Sequence, residues 1–301
     1  MRVGIIGAGI AGLACADVLA EHGHQVALFD KARGAGGRMS TRRVETGSGE
    51  VAFDFGAQYF TARDPGFKAL VAQWHRAGLV LPWVLAGADA WIGLPGMNAV
   101  VKAMADNHEV TWTCLIKGIV GNDLGWHLMN ERGSEGPFDA VVIAIPAEQA
   151  AAILALHDFD MARIALLARS QPCWTGMFAF AQPVDTPMVI VRNHGITGWA
   201  ARNSAKPGRG EQDAWVVQAT GHWSQANLDA ATGAVCQQLL ESLSDAIGAT
   251  LPPPVFAQAH RWRYALSAGT GHGALWNETI GLGVCGDWLL GPRVECAWLS
   301  G

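Results

Sequence analysis

Three groups of residues near the start of the chain have the types and spacing to hold a dinucleotide by its pyrophosphate and adenosine ribose. Gly7-Ala8-Gly9-Ile10-Ala11-Gly12 follows the apolar run Val3 to Ile6 and opens a helical stretch from Ile10 to His22, which Gly23 ends. In such a turn the first glycine permits the tight bend from strand to helix. The second lets backbone approach a pyrophosphate, and the third lets helix and strand pack closely. The N–H groups around Gly9, Ile10 and Ala11 then face outward at the positive end of the helix dipole, where phosphate is favoured. Gln25 to Phe29 reads as the next strand, and Asp30 ends it, 18 residues beyond Gly12, where a carboxylate accepts hydrogen bonds from ribose hydroxyls. In a chain with 37 glycines the spacing alone carries little weight. The strand before it, the helix after it and the acid beyond the second strand give it meaning.

The third group is a loop, Lys31-Ala32-Arg33-Gly34-Ala35-Gly36-Gly37-Arg38-Met39-Ser40-Thr41. It can wrap a pyrophosphate from the opposite side, with Lys31, Gly37 and Met39 around it and Arg38 as a charge-assisted donor. This loop resembles the second flavin motif of the FAD-dependent amine-oxidase-like superfamily. Asp54-Phe55-Gly56-Ala57-Gln58-Tyr59-Phe60-Thr61 is similar to that superfamily's next element, which passes the isoalloxazine at Gly56, Ala57 and Gln58. Gly283-Val284-Cys285-Gly286-Asp287-Trp288 resembles its return to the cofactor, with Asp287 on the ribityl or pyrophosphate.

Taken in order, FDKARGAGGRMSTRR, DFGAQYFTAR, Gly93-Leu94-Pro95-Gly96-Met97, AHRWRYA and VCGDWLLGPRVECAWLSG resemble the bacterial renalase-like flavoproteins over nearly the whole chain. The resemblance implies oxidation of misreduced nicotinamide nucleotides, the 2- and 6-dihydro isomers of NAD(P), with oxygen as acceptor and hydrogen peroxide as product. Because only one glycine fingerprint is present, NAD(P) is expected as substrate rather than as a second bound cofactor. A dihydronicotinamide is already a hydride donor, so no catalytic acid or base is assigned. Two other readings stand beside this one, a flavin amine oxidase and a non-catalytic FAD-binding protein. Many amine oxidases of the superfamily keep a lysine on a substrate-domain strand, and no lysine follows Lys206 here. The cysteine loop that some use to attach FAD is also missing, so FAD is expected to bind non-covalently.

Candidate substrate contacts are Tyr59, which follows the flavin element, Trp199, Arg202 and Asn203 in WAARNS, and His260 and Trp262 in AHRW. Trp223 and Trp288 are placed near the same cleft. Ordinary core packing is the other reading for each of these tryptophans. The ten histidines are scattered, and no metal site is expected.

Composition narrows the classes. Half the residues are hydrophobic and 16% charged, so the chain can bury large cores. A net charge of −5 gives no electrostatic reason to bind nucleic acid or an anionic membrane. The six cysteines form no CxxC pair, which suits reduced thiols in the cytoplasm. No apolar run approaches the ~20 residues that span a bilayer, and the first apolar stretch is already strand and helix rather than a leader.

The elements that must position these residues suggest an α/β fold. An FAD-binding Rossmann-like domain (1–62, 96–150 and 263–301) is interleaved with an α+β substrate domain on a mixed or antiparallel sheet (63–95 and 151–262). Helices are expected at Pro65 to Ala77, Gly96 to Asp106 and Gln225 to Ile247, with a short loop at Trp91 to Pro95. Strands are expected at Val110 to Val120, Gly125 to Asn130 and Phe138 to Ile145, then at 173–181, 188–192, 196–201, 214–220 and 255–262. In the renalase-like family a helix follows the AWLSG segment and points at the flavin. Here the sequence reaches Ser300-Gly301 where that helix is expected to begin.

Overall fold

The computed structural model describes residues 1–301. β1 (Arg2–Ile6) lies inside a six-stranded sheet, with β2 (Gln25–Phe29) on one side and the strand Ala140–Ile143 on the other, both parallel to it. Leu282–Val284 and Val110–Thr111 extend the sheet in parallel, and Leu275–Asn277 closes one edge antiparallel. Apolar residues alternate between two cores. Val3, Ile5 and Val142 pack with α1 (Ile10–Glu21), while Ile6, Val141 and Ile143 pack with the helices Ala147–Leu154 and Phe159–Leu167. Both faces are therefore covered, as a parallel sheet requires.

A five-stranded antiparallel sheet forms the second half, in the order Ile190–His194, Thr197–Arg202, Ala214–Ala219, Ser170–Phe180, Pro254–Ser267. Trp174, Phe178 and Trp215 on one face pack on the helix Thr232–Ile247 through Leu239 and Leu243. Met177 and Val216 on the other face meet Val51 and Phe53 of a hairpin, β3 (Thr41–Thr46) and β4 (Gly49–Asp54).

Several boundaries differ from those the sequence suggests. Instead of one strand from Val110 to Val120 there are two short ones, Val110–Thr111 and Gly118–Asn122, because Thr113 adopts a φ of 57°. That bend lets the Thr113 and Cys114 N–H groups bond to the carbonyls of Ala32 and Asp30. Phe138 to Ile145 divides as well. Phe138 ends a three-stranded meander, and Ala140–Ile143 joins the parallel sheet. Trp91 to Pro95 is not simply a loop, since Ala90–Gly93 is the middle strand of a small antiparallel sheet with Phe60–Thr61 and Val80–Pro82. Gln225 to Ile247 is two helices, Gly221–Ala226 and Thr232–Ile247. The break turns the Asn227 carbonyl toward the Trp174 indole and the Leu228 carbonyl toward Arg261. Finally, Ala297 to Ser300 of the AWLSG segment belong to a helix, Val294–Ser300. That helix rests on α1 so closely that a Cβ at Gly301 would stand 2.1 Å from the Ala11 carbonyl oxygen. No helix is long and apolar enough to cross a membrane.

Candidate functional site

At the C-terminal edge of the parallel sheet two glycine segments face one another. Gly7 has a φ of +105°, and its N–H bonds to the Phe29 carbonyl at 2.8 Å, which joins the turn to the end of β2. A Cβ on Gly12 would lie 2.0 Å from the Gly7 carbonyl oxygen, so only glycine lets α1 start this close to β1. Gly9 begins α1 with no side-chain cap and open space at its Cβ position. The loop supplies the facing wall: a Cβ on Gly37 would come 3.8 Å from the Gly9 Cα. An uncapped helix start opposite a second glycine turn suits a pyrophosphate.

The charged residues around it are already engaged. Asp30 accepts the N–H of Ala8 with one oxygen and that of Ala32 with the other, each at 2.8 Å. Arg38 and Asp287, which the sequence assigns to the cofactor separately, form a bidentate pair at 2.8 and 2.6 Å. A cavity of about 530 Å³ lies on the flank of the loop, against Gly34, Ala35, Lys102, His108 and Trp112, and away from the antiparallel sheet.

That sheet presents its other chemistry to the Gly56–Tyr59 segment. Register aligns Arg192, Trp199, Gln218, Thr175 and His260 in one row across five strands. Directly paired residues share a face, so the row forms a continuous surface. From it Gln218 donates to the Gly56 carbonyl at 2.6 Å, and Trp262 donates to the Phe55 carbonyl at 2.8 Å. Gly56 must be glycine here, since a Cβ would sit 2.0 Å from the Arg38 carbonyl oxygen. The Ala57 N–H bonds to that same oxygen at 2.8 Å.

Behind the segment lies a buried ionic knot. Asp54, Lys206 and Arg209 are 0%, 1% and 3% exposed. One Asp54 oxygen accepts from Lys206 at 3.1 Å and from Arg209 at 2.8 and 3.0 Å. The other accepts from Thr41 at 2.8 Å and the Met97 N–H at 3.0 Å. Burial pushes the Asp54 carboxyl up, but the two cations outweigh it and hold it below the usual carboxylate range. Burial, helped by the like charge of Arg209 and opposed by Asp54, lowers Lys206 to about 8. Lys206 also donates to Gln58 at 3.2 Å, so the Gln58 side chain is spent on the knot and on the Asp54 carbonyl.

The substrate candidates separate. Tyr59 and Trp199 meet at 5.3 Å in a cluster with Trp83. His260 and Trp262 meet at 4.5 Å beside Phe55, where burial and Arg42 lower His260 to about 4. Arg202 and Asn203 are engaged by the protein's own groups. Arg202 holds the Val184 carbonyl and lies 3.4 Å from Asp213, and Asn203 donates to the Ala52 carbonyl. Trp288 and Trp223 belong to packing: Trp288 is 1% exposed, with its indole on the Ile145 carbonyl, and Trp223 rests against the helix-side core. Trp83, Gln218, Lys206 and Arg209 did not stand out in the sequence. Trp83 hides in the apolar stretch VLPWVLAG, and Lys206 reads as a surface turn. Its one signal was rarity, as it is the only lysine after Lys117.

Residues 5–74 match the family of NAD(P)-binding Rossmann-like domains. Among solved structures, a putative protoporphyrinogen oxidase from Exiguobacterium sp. superposes with a TM-score of 0.75 at 12% identity, covering 99% of this chain and 96% of that one. Putrescine oxidase bound to putrescine gives 0.67 at 11% identity, covering 99% and 97%. An oxidoreductase from Methanosarcina mazei gives 0.58 at 13% identity, covering 100% and 98%. The chain has the fold of these oxidases, a Rossmann-like parallel sheet with separate antiparallel sheets.

Proposed function

We propose that the chain is a renalase-like oxidoreductase that binds FAD non-covalently and oxidises the 2- and 6-dihydro isomers of NAD(P) to NAD(P)+. Oxygen is the final acceptor and gives hydrogen peroxide. The observation that carries the reading is the single cradle made by the Gly7–Gly12 turn and the Gly36–Arg38 loop, next to an aromatic sheet face. One cradle leaves a nicotinamide nucleotide the role of substrate. Residues 1–62, 96–150 and 263–301 make the FAD-binding domain in this reading, and 63–95 and 151–262 the substrate domain. The cytoplasm suits its six unpaired cysteines.

Bound FAD would supply the two-electron acceptor. This chain's part is to bind and orient. Backbone N–H groups at Gly9, Ile10 and Ala11 receive the pyrophosphate, and Asp30 keeps acceptor capacity on both oxygens for the ribose. Arg38 exchanges part of its pairing with Asp287 for phosphate. Trp199 and its neighbours hold a flat substrate against the Gly56–Tyr59 segment.

An amine-oxidase reading is favoured by one observation, the buried Lys206 beside Gln58, in the turn that follows the substrate-sheet strand Thr197–Arg202. Against it, Lys206 and Arg192 already place a cation over one face of Trp83 and of Trp199, and their like charge disfavours an ammonium substrate there. Anaerobic mixing of the purified holoprotein with 6-dihydro-NAD(P), with β-NAD(P)H and with a panel of amines separates the readings. Rapid bleaching of the flavin band by the misreduced isomer alone is expected, and bleaching by amines alone overturns the proposal. Asp30→Ala should weaken FAD binding by about tenfold or more, read as a dissociation constant; an unchanged value removes Asp30 from the ribose.

A further inference from the structure

The helix Phe159–Leu167 carries two apolar faces. Met161, Ala162 and Ala165 pack into the core on the parallel sheet. Phe159, Leu166 and Leu167 lie on the opposite side and are 74%, 64% and 66% exposed. Leu156, in the turn that leads into the helix, is 88% exposed. A helix that is apolar all round is ordinarily covered all round. These four side chains leave roughly 500 Å² of mostly apolar surface open, a size at which a patch on a soluble protein marks an interaction site. The helix start is fixed in place. Asp158 accepts the Met161 N–H at 2.9 Å and the Asn277 amide at 2.8 Å, which ties it to the edge strand Leu275–Asn277.

Two charges interrupt this face and decide what fits it. Asp160 and Arg163 are largely exposed, three residues and 3.7 Å apart, and a pair so placed contributes little within one chain. A lipid surface fits badly, because Asp160 would enter the apolar layer unpaired. The net charge of −5 also opposes anionic headgroups. A foreign protein would need an acid and a base of its own in matching order. A second copy brings them by symmetry. When two such helices lie antiparallel about a twofold axis beside residues 161–162, each Asp160 meets the partner's Arg163. The Leu166–Leu167 end of each helix then covers the Leu156–Phe159 end of the other.

We propose that the outer face of Phe159–Leu167 is the interface between two copies of this chain, registered by reciprocal Asp160–Arg163 pairs. Two patches bury roughly 1,000 Å², the low end for a specific interface, which supports association at micromolar concentration rather than a permanent dimer. The dimer leaves the cradle open, since this helix lies on the sheet face opposite α1.

The test is the mass of the holoprotein by light scattering on a size-exclusion column loaded at about 100 µM, well above a micromolar Kd. The wild type should run near twice the 31.9 kDa of the chain and fall toward one chain on dilution. Leu166→Glu changes an exposed side chain and should give a monomer whose melting temperature, measured dilute, is unchanged. Asp160→Arg and Arg163→Asp each set like charges across the axis and should each weaken the dimer about tenfold or more. Mixed in equal amounts, these two variants should associate with one another, because every charge then meets its opposite. A monomeric wild type, a dimer untouched by Leu166→Glu, or a mixture that stays monomeric overturns the inference. So does a wild type that sediments with vesicles of phosphatidylcholine and phosphatidylserine through Leu166, which gives the face to a membrane.

Discussion

Asp54 accepts hydrogen bonds from Thr41, Met97, Lys206 and Arg209 with two oxygens. Two buried cations depend on this one carboxylate, so Asp54→Ala should destabilise the protein by about 3–5 kcal/mol, the cost of leaving buried charge unpaired. Lys206→Met leaves Asp54 with Arg209 and should cost far less; urea melts of the two variants check the difference. Asp54 contributes stability that is present above about pH 4 and lost as pH falls through its lowered folded value. His260 acts in a higher window. It titrates at about 4 in the folded protein, against about 6.5 when unfolded. The unfolded chain therefore takes up the proton first, and stability falls as pH drops from about 6.5 to about 4. His260→Gln should flatten that limb in urea midpoints measured across the range, and an unchanged slope would assign it to other groups.

The elements were legible where a local pattern dictates local geometry. β1, α1 and β2 follow from one glycine spacing, and the predicted Gln25 to Phe29 strand agrees with the structure residue for residue. Gly12→Ala tests why. The added methyl meets the Gly7 carbonyl, so α1 must lift from β1, at about 1–3 kcal/mol and with loss of bound nucleotide; a melt and the flavin-to-protein absorbance ratio report both. Patterns failed where tertiary bonds decided the outcome. Nothing local in 225–247 announces that Trp174 and Arg261 draw the carbonyls of residues 227 and 228 out of a helix. The site was legible by the same division. The glycines and Tyr59 carry their own signals, whereas Trp83 and Lys206 gain meaning only from neighbours distant in sequence. Arg202 and Asn203 had the right chemistry for a substrate, but Asp213 and Ala52 hold them.

Across the whole molecule, the long strand Pro254–Ser267 ends the antiparallel sheet and leads straight back to the parallel one through Leu275–Asn277 and Leu282–Val284. The Asp54 knot binds the hairpin, the Met97 loop and the 206–209 turn together. The two sheets should therefore unfold as one: calorimetry is expected to give a single transition with equal calorimetric and van't Hoff enthalpies, and two resolved peaks would contradict the coupling. The same strand order bears on how the cradle is completed. The glycine turn and Arg38 lie within residues 7–38, whereas Asp287 and the helix resting on α1 lie some 250 residues further along. The first βαβ unit by itself therefore carries the fingerprint without its closing wall, and a fragment cut before Asp287 would leave Arg38 without its carboxylate partner.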